Sequence, residues 1–153
     1  MGQVIPVFQA MRGQRVYVDT NVFIYFLDGN PQFFAAAEPV LRAISNKEII
    51  GFTGEIAVAE TMVGPYRKMD TRLITTTRNF FRSSNFLTIL PHDSEIFDHA
   101  ARMRAEDRLR FIDAIHVATA TSAACKFFIT NDKAIRTQNG IAVVQLDTLL
   151  PSP

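Results

Sequence analysis

The sequence predicts a three-layer α/β/α sandwich, an α/β fold whose central and mostly parallel sheet has four or five strands. Short runs of β-branched and aromatic residues alternate along the chain with longer segments of helical periodicity. No hairpin turn joins the early runs, so successive strands need crossover connections, and such connections are typical of parallel sheets. The chain has 153 residues, which corresponds to about one domain with a sizeable core.

Five apolar runs, each bounded by turn-forming residues, predict the strands of this sheet: 16–18, 49–52, 86–90, 127–130 and 141–146. The first run, VYV, is apolar throughout, so we expect its strand to be buried on both faces and Asp19 to be its last residue. Pro91 closes the third strand, and the pair Asn139-Gly140 predicts a tight turn before the last one.

The segments between the strands predict the helices: 21–27, 33–44, 55–63, one or two helices up to residue 81, one that begins near Asp93, and 111–125. Two of them contain helix breakers. Pro39 predicts a kink or a break in the second helix, and Gly64-Pro65 should end or bend the third. Helix 111–125 is rich in alanine and apolar on nearly every side, which predicts close packing against the sheet. A short helical turn should follow Asp132.

Composition excludes several classes of protein. The hydrophobic fraction is 48%, ordinary for a globular chain, and no apolar run approaches the ~20 residues that span a bilayer. The start lacks the basic and apolar regions of a signal peptide. The only cysteine, Cys125, lies in an alanine-rich stretch and predicts a buried thiol in a reducing compartment. One cysteine and three scattered histidines argue against a zinc site. We therefore expect a cytoplasmic protein.

The chain divides into three parts by the same criteria. Residues 1–14 are an N-terminal extension that could be an extra strand or a loose arm, because Pro6 and Gly13 interrupt it. Residues 15–149 form a single domain, and residues 150–153, which contain two prolines, are a frayed tail.

Four acidic residues differ from the others because apolar stretches surround them or end at them: Asp19, Glu60, Asp113 and Asp132. Charged residues are rarely buried in such stretches without a partner. Two of the four follow predicted strands, and the other two lie near the starts of predicted helices. The carboxyl ends of parallel strands meet at one edge of the sheet, where open α/β folds place their chemistry. We therefore expect the four side chains to converge there.

Converging carboxylates raise one another's pKa and need a cation between them. Oxygen ligands without cysteine or histidine favour Mg²⁺ or Mn²⁺, which can activate a water molecule and stabilise charge on a phosphoryl oxygen. Polar side chains beside the acids would orient the carboxylates or a metal-bound water: Thr20, Asn21, Thr130 and Asn131.

Each of the four acids also has a purely structural interpretation. The three aspartates could be helix N-caps or first-turn acids, and Glu60 could pair with Arg67. His116 lies three residues after Asp113 on the same helix face. We interpret it as a packed, hydrogen-bonded core histidine outside the catalytic set.

Basic residues fall in two segments that could bind phosphate groups: Arg67, Lys68, Arg72, Arg78 and Arg82 in the first, and Arg104, Arg108 and Arg110 in the second. A solvated helix face is the alternative for both segments. The net charge of +1 does not decide between them, because it averages over local patches.

Four motifs of this chain together resemble the PIN domain, and most closely the VapC-type toxin ribonucleases of toxin–antitoxin pairs. The motifs are VDTNVFIYFL with Asp19, IAVAE with Glu60, DAIHVATA with Asp113 and FITND with Asp132. The resemblance extends over about residues 15–149. It departs from the family pattern at its start, because the first strand is delayed, and the segment between Glu60 and Leu87 is the family's variable part.

The resemblance implies a PIN-like sandwich and cleavage of RNA that depends on Mg²⁺ or Mn²⁺, with the four acids as catalytic residues and metal ligands. It also implies a homodimer and inhibition by a small antitoxin protein. The basic segments would then be contacts to the RNA backbone. Two alternatives remain: a catalytically silent PIN-like module that binds RNA or protein, and a phosphate-transfer domain of receiver or phosphatase type. The phosphatase would need an acid where this chain has Asn21.

Overall fold

A parallel sheet lies at the centre of the molecule in the computed structural model, which describes residues 4–82, 85–138 and 140–151. Its strands are β1 (Arg15–Val18), β2 (Ile50–Gly54), β3 (Leu87–Leu90), β4 (Phe127–Thr130) and β5 (Ala142–Gln145). They lie in the order β3-β2-β1-β4-β5, and each neighbouring pair is parallel. The predicted α/β/α sandwich is thereby confirmed. A receiver domain has the order 2-1-3-4-5, so the observed order excludes that alternative.

The described residues form seven α-helices and a short 3₁₀-helix at Leu146–Leu149. The α-helices are α1 (Val4–Met11), α2 (Thr20–Asp28), α3 (Phe34–Ser45), α4 (Glu55–Lys68), α5 (Thr71–Arg82), α6 (Ser94–Asp107) and α7 (Phe111–Ser122). Among these residues no helix is both long enough and apolar enough to cross a membrane.

Alternation along β1 divides the buried residues between the two faces of the sheet. Val16 and Val18 belong to one apolar cluster, which packs against α2 and α3, and Tyr17 belongs to the other, which packs against α6 and α7. Ile129 and Phe128 on β4 divide in the same way. Successive side chains of a strand point to opposite faces, so a strand in the middle layer must be apolar throughout. This is why the run VYV predicts a central strand.

Three predicted features differ from the structure. Part of the N-terminal extension, Val4–Met11, is a helix and not the predicted strand or loose arm, because Pro6 lies in the first turn, where a helix tolerates proline. Helix α4 continues through Gly64-Pro65 to Lys68, so the predicted end at this pair is wrong, although the proline still removes one backbone hydrogen bond. Helix α3 likewise contains Pro39 without ending there.

Helix α7 ends at Ser122 rather than at residue 125 because Ala124 has a left-handed backbone with φ of 55°. The segment after Asp132 is a simple turn instead of a helical one, since the Asp132 carboxylate accepts a hydrogen bond from the backbone of Ala134 at 2.9 Å. At the predicted Asn139-Gly140 turn, Gly140 has a φ of 78°, and residue 139 lies outside the described residues. Residues 1–3 of the extension and 152–153 of the tail also lie outside them.

Candidate active site

Asp19 follows β1 directly and is the N-cap of α2, and it is only 5% exposed. One carboxylate oxygen accepts a hydrogen bond from the Thr20 backbone at 2.8 Å, and the other accepts one from the Thr130 hydroxyl at 2.6 Å. Burial raises the pKa of Asp19, and the nearby His116 and the hydrogen bond from Thr130 offset part of that shift. The capping interpretation is therefore correct, and it is compatible with a place among other acids.

Glu60 lies in the second turn of α4 and faces Asp19 across Thr20. Its Oε1 accepts hydrogen bonds from the Thr20 hydroxyl and from His116 Nε2, both at 2.7 Å. Burial by itself would raise the pKa of Glu60, but these two hydrogen bonds outweigh it, so the pKa is lowered. The partner of Glu60 is thus His116 and not Arg67.

His116 is buried and hydrogen-bonded, as expected, and it also joins two of the acids. Its Nε2 lies 2.7 Å from Glu60 Oε1 and 3.5 Å from Asp19 Oδ1, while its Nδ1 lies 2.8 Å from the Tyr17 hydroxyl. Burial alone would lower the pKa of His116, but the hydrogen bond to Glu60 and the charge of Asp19 raise it. His116 Nε2 therefore bridges the two carboxylates. Its position three residues after Asp113 is the sequence feature that could have identified this role.

Asp113 and Asp132 are joined by the guanidinium of Arg110. Arg110 donates to Asp113 through Nε at 2.8 Å and through Nη2 at 3.3 Å, and the same Nη2 donates to Asp132 at 3.0 Å. The Asp113 side chain is 6% exposed, whereas that of Arg110 is 76% exposed. Helix α7 follows a helix and not a strand, so it is the packing of α6 against α7 that brings Asp113 to this edge.

The four polar side chains next to the acids divide into two pairs. Thr20 and Thr130 donate directly to carboxylates, as described for Glu60 and Asp19. Asn21 and Asn131 bind each other instead, with the Asn131 backbone 3.2 Å from Asn21 Oδ1, and the Asn131 amide donates to the Tyr25 hydroxyl at 3.1 Å. The asparagines hold the loop after β4 against α2, and among the described residues neither side chain forms a hydrogen bond with an acid.

A family model matches most of the chain. The model described as the PIN domain matches residues 16–140, which contain all four acids and most of the chain. The chain belongs to the PIN domain family. No curated protein sequence matches it significantly.

Solved structures share the fold of this PIN domain at low sequence identity. A toxin–antitoxin complex from Klebsiella pneumoniae is 23% identical with a TM-score of 0.66, and the match covers 83% of this chain and 95% of that one. VapBC2 from Rickettsia felis, bound to a DNA fragment from its promoter, is 15% identical with a TM-score of 0.68 and coverages of 86% and 98%. VapC20 from Mycobacterium tuberculosis, a toxin that cleaves the sarcin–ricin loop, is 16% identical with a TM-score of 0.60 and coverages of 74% and 86%.

The donor atoms of this PIN domain fit a hard divalent cation, although their positions do not form a finished coordination site. Carboxylate oxygens predominate, and Glu60 Oε2 has no hydrogen bond in the part of the chain that the structure describes. Within residues 4–82, 85–138 and 140–151, however, no three acidic, histidine or cysteine side chains are grouped so that they could hold a metal ion.

The basic residues lie on two sides of the acids. Arg67 and Lys68 are in the last turn of α4, and Lys68 and Glu60 line the same cavity of about 160 Å³. Three further residues of that segment lie on α5: Arg72, Arg78 and Arg82. In the second segment, Arg104 donates to the Arg108 carbonyl at 3.2 Å, and Arg108 and Arg110 line a cavity next to Asp132.

Proposed function

We propose that this PIN domain is a metal-dependent endoribonuclease of the VapC toxin type, which hydrolyses RNA phosphodiester bonds. The observation that supports it most is that the four acids form two bridged pairs. His116 contacts Asp19 and Glu60, and Arg110 contacts Asp113 and Asp132. Thr130 connects the pairs, because it contacts both Asp19 and the Asp132 backbone. An acid cluster of this kind, half of it buried, costs stability unless it has a use for its charge.

In this proposal the four acids hold one or two Mg²⁺ or Mn²⁺ ions. The bound metal supplies an activated water and stabilises the charge that develops on the phosphate. Thr20 and His116 keep Glu60 beside Asp19. The hydrogen bond from the Thr130 hydroxyl holds the Asp19 carboxylate in one orientation. The hydrogen bond between Asn131 and Asn21 holds the loop that carries Asp132 against α2.

The likeness to toxin–antitoxin structures supports the substrate and the partners of this proposal. One such structure is named as a toxin that cleaves the sarcin–ricin loop, and two others are complexes of a toxin with its antitoxin. We propose RNA as the substrate, a small antitoxin as the inhibitor and a homodimer as the working form, in the cytoplasm. The basic segments would contact the RNA backbone and give an affinity that falls with salt.

The decisive experiment compares RNA cleavage by the wild type and by Asp19→Asn, with Mn²⁺ and with chelator. We expect cleavage only by the wild type with Mn²⁺ and a loss of more than about 100-fold in the variant, because Asp19 would be a ligand and not merely a supporting group. Asp98→Asn is the matched control, since Asp98 lies on the exposed side of α6 and pairs with Arg102. Equal cleavage by the wild type in Mn²⁺ and in chelator would contradict the metal mechanism.

The catalytically silent module is the second candidate, and one observation favours it. Arg110 already pairs with two of the four acids, as an internal cation would in a site that has lost its metal. Titration calorimetry with Mn²⁺ separates the two. Saturable binding that disappears in Asp19→Asn favours the nuclease, and absence of binding in the wild type favours the silent module.

A further inference from the structure

A cavity of about 660 Å³ opens beside Asp132, between the α6–α7 connection and the loop after β4. Three arginines line it: Arg108, Arg110 and Arg136. We call it the arginine cavity. Arg136 belongs to neither basic segment of the sequence, because 25 residues separate it from Arg110 and no other arginine lies near it in the chain.

Two of the three arginines are available for a ligand. The side chains of Arg108 and Arg136 are exposed, and within the described residues neither forms a hydrogen bond or an ion pair. Two acids also line the cavity, Asp107 and Asp132, and Arg110 shares its charge between Asp132 and Asp113. The three arginines and two aspartates of the lining sum to one positive charge, and the guanidinium groups of Arg108 and Arg136 contact no carboxylate among the described residues.

The loop that carries Arg136 is held firmly on both sides of it. Ile135 is buried in the core, and the Thr137 hydroxyl accepts a hydrogen bond from the Val143 backbone at 3.0 Å. Gln145 donates to the carbonyls of Asp132 and Ile135 at 2.9 and 3.3 Å. Because the backbone is already anchored, only the Arg136 side chain has to be ordered when a ligand binds, which suits this residue to a contact that positions a ligand.

We propose that the arginine cavity binds a backbone phosphate of the RNA strand, adjacent to the phosphodiester that is cut. The planar guanidinium group matches the geometry of a phosphate, so one arginine can donate two parallel hydrogen bonds to two phosphate oxygens. Arg110 lines the cavity and contacts Asp113 and Asp132, so a phosphate held here would lie beside these acids. The proposal rests on the ribonuclease function for the identity of its ligand.

The test measures binding of a short fluorescein-labelled single-stranded RNA by anisotropy, in chelator so that it stays intact, over a range of KCl concentrations. Arg136→Gln should weaken binding severalfold and lower the slope of log K against log salt by about one phosphate contact. Asp107→Asn should strengthen binding, because it removes a negative charge from the same lining. Arg12→Gln is the matched control, since Arg12 is exposed at the amino end of β1, on the opposite edge of the sheet.

The outcomes separate this proposal from the proposed function. If Arg136→Gln binds RNA like Arg12→Gln at every salt concentration, the arginine cavity has no such role, even where the wild type cleaves RNA with Mn²⁺. If Arg136→Gln and Asp107→Asn shift binding in opposite directions but the wild type never cleaves, the phosphate site stands and the nuclease function fails. A wild type that does not bind RNA at low salt overturns both.

Discussion

Thr130 connects two aspartates that follow neighbouring strands. Its buried hydroxyl donates to Asp19 Oδ2 at 2.6 Å and accepts from the Asp132 backbone at 3.0 Å. It also lies 3.4 Å from the Asn21 amide. One hydroxyl thus provides a hydrogen-bond partner for the buried Asp19 carboxylate and for the backbone of the loop that carries Asp132. It therefore has both a structural and a positioning role.

Replacing Thr130 by Val should destabilise the protein by about 1–3 kcal/mol, because the shape stays nearly the same while Asp19 Oδ2 and the Asp132 backbone each lose a buried partner. Urea unfolding followed by circular dichroism measures the change. Thr130→Ser keeps the hydroxyl and should retain most of the stability. A Val variant that is as stable as the Ser variant would contradict this account.

Arg110 competes at residue scale with any cation that the acids bind. Arg110→Gln should raise the affinity for Mn²⁺ by about twofold to fivefold, equivalent to the ~0.5–1 kcal/mol of an exposed ion pair, since Asp113 and Asp132 lose their internal partner. Titration calorimetry gives the affinity. Arg104→Gln is the control, because Arg104 binds a carbonyl and not an acid. An unchanged or weaker affinity in Arg110→Gln alone would argue that Arg110 supports the site rather than competes for it.

Close packing between elements determines how near α3 lies to the sheet. A Cβ on Gly51 in β2 would lie 2.6 Å from Ile44 Cγ2 and 2.7 Å from its Cδ1, and Ile44 is itself buried in the core. Helix α3 can therefore contact β2 only because residue 51 has no side chain. Gly64 in α4, by contrast, has open space around the position of its Cβ.

These two glycines give a paired prediction at the scale of elements. Gly51→Ala should lower the free energy of unfolding by about 1–3 kcal/mol because it overpacks a filled core. Gly64→Ala should raise it by about 0.5–1 kcal/mol, because alanine restricts the unfolded chain and suits a helix interior. Urea unfolding of both variants and the wild type measures these free energies. A change of the same sign in both variants would refute the packing argument.

At the scale of the whole molecule, the sheet separates two apolar cores, and Cys125 lies in the one beneath α6 and α7. The thiol is buried, as the sequence predicts, with 4% of its surface exposed, and burial raises its pKa to about 12. Reaction at this thiol therefore requires the core to open, which makes it a reporter of global unfolding.

Cys125 should react with a disulfide reagent at pH 8 more than about 100-fold more slowly in the native protein than in urea, because both access and the thiolate fraction are suppressed. The absorbance of the released thiol follows the rate. The chain has one cysteine, so the signal has a single source. Similar native and unfolded rates would mean that α7 opens locally without global unfolding.

Local patterns in the sequence are sufficient for the architecture and for the location of Asp19 and Asp132. The run VYV predicts a central strand because only a strand buried on both faces is apolar throughout. Asp19 and Asp132 are predicted at one edge because both follow parallel strands. These inferences need only the period of a strand and the common direction of the sheet, which are properties of neighbouring residues.

The contacts among the site residues are decided by the tertiary structure alone. The Tyr17 hydroxyl meets His116 across 99 residues of chain, and Thr130 meets Asp19 across 111. Arg136 joins the arginine cavity through a loop whose path depends on Gln145. The periodicity of a strand or a helix cannot predict contacts between residues so far apart in the sequence. These contacts depend on how helices and loops pack against the finished sheet. The sequence by itself determined the fold and the edge at which Asp19 and Asp132 lie. Only the tertiary structure decided how Asp113 reaches that edge and which basic side chain each acid contacts.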